Sequence, residues 1–288
     1  PVPFLRDDAE LDLGWTLGVP GDTATTGLWV RAAPLGTSLS GQPSNPSADA
    51  TPAPGTDCYV TGNGRGAAGD DDVAGGATTL VSPAFDLSAV GPARLAYTRW
   101  FANLSNADDD FRAFLSNDDG QSWSPLETVT ANANQWNRVE FLVTDVLPQT
   151  ARMRLRFVAA DLGVGSIYEA GVDDLEVVVF DAAPRLNVYG DERAGGTVVF
   201  HVTGTPGDTF HVATSTVDPA AVTGPYLQAP VFGGSALTGT IGPDGLGTVV
   251  GSVPSSPWVV GTTFHFQAVV GSGGGGWVAT NAVALVVK

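Results

Sequence analysis

Along most of its length the chain alternates apolar and polar residues in short runs broken by turn residues. In ARLAYTRWFANL, Leu95, Tyr97 and Arg99 share one parity, and Ala96, Thr98 and Trp100 the other. In ARMRLRFVAADLG, Met153, Leu155 and Phe157 point inward while Arg152, Arg154 and Arg156 point out. Successive side chains of a strand face opposite sides, so this period of two predicts half-buried strands. CYVTGN, TTLVSPAFDLS, WNRVEFLVTDV and SIYEAGVDDLEVVVFD extend the series. Helical spacing is absent. Residues 34–57, PLGTSLSGQPSNPSADATPAPGTD, have no apolar period and read as a long surface loop. Asp181-Ala182-Ala183-Pro184 reads as a linker, after which the pattern restarts. From RLNVYG to the final WVATNAVALVVK, both included, there are seven strand-like runs with turn signals between them, and GSGGGG at 271–276 reads as the last turn. This predicts an immunoglobulin-like or fibronectin-like β-sandwich over 183–288, following a first β domain over 1–182.

Composition agrees. Of 288 residues, 43% are hydrophobic and 15% charged, with 37 Gly and 20 Pro, as expected for many strands joined by tight turns. The net charge of −17 argues against nucleic acid and anionic membranes as partners. It suits an extracellular surface whose carboxylates are available to a hard cation. No apolar run is long enough to span a bilayer, and the start at Pro1 without a methionine reads as a processed, secreted chain. The single Cys58 has no disulfide partner within the chain and reads as a small buried hydrophobe.

The octet SNDDGQSW fits the Asp-box pattern, with Ser116, Asp118, Gly120 and Trp123 in its four fixed places. The aspartates supply turn chemistry and the glycine a positive φ, while Trp123 is expected to fold back and bury its ring. The pattern occurs once, whereas a propeller repeats it blade by blade. It therefore marks a turn and carries no reaction.

The order DDAELDLGW, TGLWVRAAP, CYVTGN, the DDDVAGG loop, TTLVSPAFDLS, LAYTRW, SNDDGQSW, MRLRFVAAD and EAGVDDLEV resembles the cleaved-adhesin or choice-of-anchor J modules of secreted bacterial proteins, relatives of MAM domains in architecture. The resemblance covers residues 4–181 and implies a non-enzymatic jelly roll. It also implies a structural Ca²⁺ where the first and last strands meet, held by Asp8, Glu10 and Asp174 with Asp173 as a neighbour. Ala9 departs from the family, which commonly has an aromatic there.

Other candidates are weaker. Asp70-Asp71-Asp72 and Asp108-Asp109-Asp110 could offer oxygens to Ca²⁺, but neither has the alternating spacing of an EF-hand. His201, His211 and His265 each sit in Phe-His-(Val/Phe); a hairpin across GTPGD would oppose His201 to His211 and allow a zinc site, against polar residues on an outer sheet face. Asn103-Leu104-Ser105 is a glycosylation sequon. The seven tryptophans could stack on sugars or fill cores. No nucleophile elbow, HExxH, P-loop or CxxC is present, so no enzyme is expected. The apolar ends, PVPFL and NAVALVV, motivate a structural or adhesive extracellular protein that pairs terminal strands head-to-tail with copies of itself in a filament. The alternative is a carbohydrate-binding module released from a larger secreted enzyme, with cell-surface glycans as partners.

Overall fold

Residues 2–180 form two facing antiparallel sheets in the computed structural model, which describes residues 2–64, 66–104, 109–163, 166–180, 183–216, 237–271 and 276–288. The strands are β1 (Val2–Asp7), β2 (Thr16–Leu17), β3 (Val30–Ala32), β4 (Ser38–Leu39), β5 (Gln42–Pro43), β6 (Cys58–Val60), β7 (Ala77–Val81), β8 (Ala93–Leu104), β9 (Asp110–Ser116), β10 (Ser124–Val129), β11 (Asn137–Leu142), β12 (Arg154–Ala160) and β13 (Ile167–Val179). The first sheet runs β11-β8-β13-β6-β3, with β1 also paired to β13. The second runs β10-β9-β12-β7-β2. Alternation decides what lies between them: Leu95, Tyr97, Phe101, Met153, Leu155 and Phe157 are buried in one core. Phe157 sits at its centre, edge-on to Tyr97 at 4.8 Å and stacked with Phe111 at 6.0 Å. The domain is a jelly-roll β-sandwich.

One detail of this topology positions everything that follows. Along one edge of β13, β6 pairs at Gly171 and Val172, and β1 pairs from Leu175 onward. Between them β13 bulges at Asp173 and Asp174, the latter with φ 50°. The sheet therefore has a notch at the place where β1 leaves and β6 enters.

The C-terminal sandwich comprises β14 (Leu186–Gly190), β15 (Thr197–Thr203), β16 (Thr209–Ser215), β17 (Leu237–Thr240), β18 (Leu246–Ser252), β19 (Thr263–Gly271) and β20 (Val278–Val286). A sheet β14-β15-β18 faces a sheet β17-β16-β19-β20, an immunoglobulin-like arrangement with Phe200 edge-on to Phe266 at 5.0 Å in its core. The linker residues Asp181 and Ala182, and residues 272–275 of the glycine turn, lie outside the described residues.

Three expectations change. β15 and β16 lie in opposite sheets and form no hairpin. His201 pairs in register with Asn187 and Thr248, His211 with Thr238 and Val269, and His265 with Ser215 and Ala284, so the zinc arrangement is not assembled. Both chain ends are already paired inside the molecule, β1 on β13 and β20 on β19. Each terminal strand therefore has a partner within the chain, and head-to-tail assembly gains no support from the fold. Asn103 is only 8% exposed on β8, with both amide atoms enclosed, so a glycosyltransferase cannot reach it in the folded domain; Ser105 lies outside the described residues.

The two sandwiches also share a core. Tyr189 and Val199, on the outer face of the β14-β15-β18 sheet, belong to the same apolar cluster as Leu13, Trp15 and Tyr59. Asp7 lies buried at this junction, accepting hydrogen bonds from Trp15 Nε1 (2.7 Å) and the Ala9 amide (3.1 Å); burial raises its carboxyl to about 6. His201 is buried opposite, its Nε2 accepting from the Arg6 amide at 3.4 Å, and burial lowers it to about 4 so that it stays neutral. Arg152 crosses to Glu192 at 2.9 Å. Gly14, at φ 79°, permits the approach: a Cβ there would stand 2.5 Å from Asp191 Cβ.

Candidate functional site

The segment 34–57 is a strap lying across the outer face of the first sheet, and the side chains that hold it sit on that face. Trp100 Nε1 donates to the Ser44 carbonyl at 2.7 Å, and Trp136 Nε1 to that of Ala48 at 2.9 Å. Asn134 Nδ2 donates to the Pro43 carbonyl. Asn45 Nδ2 reaches the carbonyls of Thr61 (2.9 Å) and Gly62 (2.8 Å). At the notch, Asp173 Oδ2 accepts from the amides of Ala50 (2.8 Å) and Thr51 (3.2 Å). Asp174 Oδ1 accepts from Thr51 Oγ1 at 2.7 Å, and Glu10 Oε1 from the amides of Thr56 and Asp57 at 2.7 and 2.8 Å. The amides of Ala50, Thr51, Thr56 and Asp57 thus find carboxylates, which is why an acidic notch and a Pro/Ser-rich segment belong together.

Between strap and sheet is a cleft of about 390 Å³, lined by Thr37, Asn45, Ser47, Asp49, Trp100 and Trp136. The two indoles meet edge to face, 5.8 Å apart at 70°. Gly171 makes room for this: a Cβ there would lie 2.7 Å from Trp136 Cη2 and 3.2 Å from Trp100 Cβ. Trp100 is buried and Trp136 half-buried, so the cleft presents part of one aromatic surface among hydroxyl, amide and carboxylate groups. Just beyond, Glu169 is buried on the same outer face, accepting from Thr61 Oγ1 at 2.6 Å. Burial holds it well above the usual carboxylate range, and Asp72 and Asp71 add to the rise.

The carboxylates named from sequence are gathered here, though not as a finished metal shell. Asp173 and Asp174 sit on the bulge, Glu10 under residues 56–57, and the exposed Asp8 caps the Glu10 amide at 3.3 Å. Asp49, which sequence reasoning missed inside an apparently featureless loop, joins them. Its carboxyl is raised by burial and by Glu10, Asp174 and Asp57, and its Oδ2 is enclosed without a hydrogen-bond partner. Burial raises Asp173 to about 7, with Asp174 adding to the rise. The oxygen chemistry suits a hard cation. Among the described residues, however, no group of three His, Cys, Asp or Glu closes to metal-binding spacing. This holds for the Asp70–Asp72 loop and for Asp109 and Asp110 as well; Asp108 lies outside the described residues.

The Asp box forms the expected turn. Ser116 Oγ accepts from the Gly120 amide at 2.9 Å, and Asp118 accepts from the Ser122 amide at 2.9 Å and from Ser122 Oγ. The bonds from Ser122 and Ser116 lower Asp118 to about 2. Trp123 differs from expectation: it is half-buried and covers the Arg156 guanidinium at 4.6 Å, with Phe114 on that group at 4.4 Å. Arg152 and Arg154 pair with Asp119, so those members of the arginine row tie the turn to the sheet and are not free for an anion. Cys58 is fully buried and its thiol is pushed far up by burial, consistent with an inert packing role.

No protein-family model matches the chain, and no curated protein matches it. Among solved structures, the C-terminal family 22 carbohydrate-binding module of Xyn10B from Clostridium thermocellum is 14% identical, with 62% of this chain and 94% of that chain covered at a TM-score of 0.34. The CBM22-1 xylan-binding domain of Xyn10C from Paenibacillus barcinonensis is 12% identical, covering 63% and 96% at 0.30. The glycoside hydrolase domain of Endo-D from Streptococcus pneumoniae is 15% identical, covering 94% of this chain and 36% of that one at 0.34.

Proposed function

We propose that this chain is a non-catalytic, extracellular glycan-binding protein whose ligand enters the cleft between the strap and the first sheet. The observation that carries this reading is the half-buried Trp136 indole, fixed over Gly171 and facing the polar groups of the strap. Sugars need that combination: an aromatic surface for their C–H faces and hydrogen-bonding groups for their hydroxyls. Trp136→Ala should weaken binding by about 30-fold or more, the effect of truncating a central aromatic anchor. Isothermal titration with xylohexaose, cellohexaose and mannohexaose measures it. Equal affinities for the variant and the parent protein would overturn the cleft assignment. Xylohexaose is the first probe because the Paenibacillus module is a xylan-binding domain.

The same proposal includes calcium at the notch. What supports it is the enclosed, unpartnered Asp49 Oδ2 together with the carboxylates of Glu10 and Asp174 that raise Asp49. A cation held only by the folded protein stabilises it by mass action. Chelator should therefore lower the melting temperature, and Asp174→Ala should erase the difference. Identical melting with and without chelator would remove calcium from the proposal.

A further inference from the structure

The C-terminal sandwich carries an aromatic surface unrelated to the cleft. Trp277, immediately before β20, is 50% exposed, and its ring lies 5.2 Å from that of His211 at 52°. Gly271 makes this seat. A Cβ there would stand 2.8 Å from the Gly276 carbonyl and 3.3 Å from Trp277 Cδ2, so a side chain would force the backbone that seats the indole to shift. The ring is thus seated at the β16–β19 pair, with half of its surface in water. Around it, register and alternation place Thr209 and His211 of β16, with Thr238 and Thr240 of β17, on one outer face, and all four are exposed. The four strands of this sheet, β16, β17, β19 and β20, contain no Asp, Glu, Lys or Arg. In a chain of net charge −17 that is a marked departure.

An exposed indole bordered by hydroxyl and imidazole groups, with no formal charge, has the chemistry to receive an uncharged sugar ring. The ring's C–H face stacks on the indole and its hydroxyls bond to imidazole and threonine. An acidic or basic ligand would find no counter-charge on the strands of this sheet. We propose that Trp277, His211 and the adjoining threonines form a second carbohydrate site, specific for neutral glycans. It does not depend on the cleft being a sugar site.

The test is ¹⁵N NMR of the indole N–H signals of the full chain, titrated with xylohexaose, cellohexaose and mannohexaose at millimolar concentration. Trp277→Phe assigns the relevant signal. The Trp277 signal should shift with at least one of these neutral sugars, should still shift in the Trp136→Ala background, and should need several-fold more sugar in His211→Ala. A shift at Trp136 with none at Trp277 overturns the second site and leaves the cleft standing. A shift at Trp277 alone does the reverse. No shift of Trp277 with any of the three sugars also overturns the proposal. Trp277 and His211 are both exposed, and Trp136 lies in the other sandwich, so loss of fold of the C-terminal sandwich does not confound the result.

Discussion

Asp173→Ala is expected to release the strap and abolish cleft binding while both sandwiches remain folded. Asp173 is 2% exposed and accepts from the amides of Ala50 and Thr51 and from that of Asp174, which holds the positive φ of the bulge. Alanine leaves all three donors without an acceptor. A buried donor left unpaired costs about 1–3 kcal/mol, and the strap can avoid that cost by lifting into water. The cleft then loses the wall that carries Asn45 and Asp49. Limited proteolysis should cut within 34–57 in the variant and spare the parent, and glycan titration should show no binding at the cleft. A strap that resists protease as the parent does would refute this account.

Asp173→Asn separates shape from charge, since its amide oxygen can still accept a strap amide. Burial raises the parent carboxyl from the ordinary 3.8 to about 7, so between these values the native state binds more proton than the unfolded chain. Its contribution to stability therefore rises as pH falls from about 7 toward 4, opposite to a carboxylate held in an ion pair. The asparagine variant should lack that rise, which urea titrations at pH 7 and pH 5 would reveal.

Much of this was legible in the chain and some was not, for identifiable reasons. The strands of both sandwiches follow from period-two alternation, and the Asp-box turn from its own local chemistry, because each is a short-range property. Asp8, Glu10, Asp173 and Asp174 were named together from sequence as calcium ligands; in the structure Glu10, Asp173 and Asp174 accept from the strap instead. Asp49 was not named, because a loop without apolar period gives no sign of the surface it crosses. Trp100 was assigned a face by parity, but alternation cannot say that a strap 56 residues upstream covers that face. The histidine pairing failed for a related reason: a short connection such as GTPGD can close a hairpin or carry the chain across to the opposite sheet, and turn residues alone do not distinguish them. Trp123 was expected to fold back and bury its ring; it folds back over Gly120 but stays half-buried and covers a cation.

Tyr189→Ala is expected to be the most destabilising of the substitutions considered, and to uncouple the two sandwiches. Tyr189 has the outward parity of β14, where a lone immunoglobulin-like domain would show it to water; here it is 1% exposed and packs into the N-terminal core with Leu13, Trp15 and Tyr59. Its hydroxyl faces the buried Asp7 carboxyl, so the side chain both packs the junction and covers that group. Truncating a buried aromatic to alanine costs about 3–5 kcal/mol through lost transfer energy and the cavity left behind. That loss falls on the contact between the domains, because the remaining contacts there include Arg152–Glu192 and Arg6–Asp244, both partly exposed pairs. Such pairs typically contribute less than about 1 kcal/mol each. Scanning calorimetry should therefore show one transition for the parent chain and two for the variant, with the C-terminal sandwich melting on its own. A single transition at the parent temperature in the variant would mean that the shared core contributes nothing to coupling. Glycan binding at Trp277 should survive the uncoupling, since its seat is built from β16, β19 and the start of β20 within one sandwich.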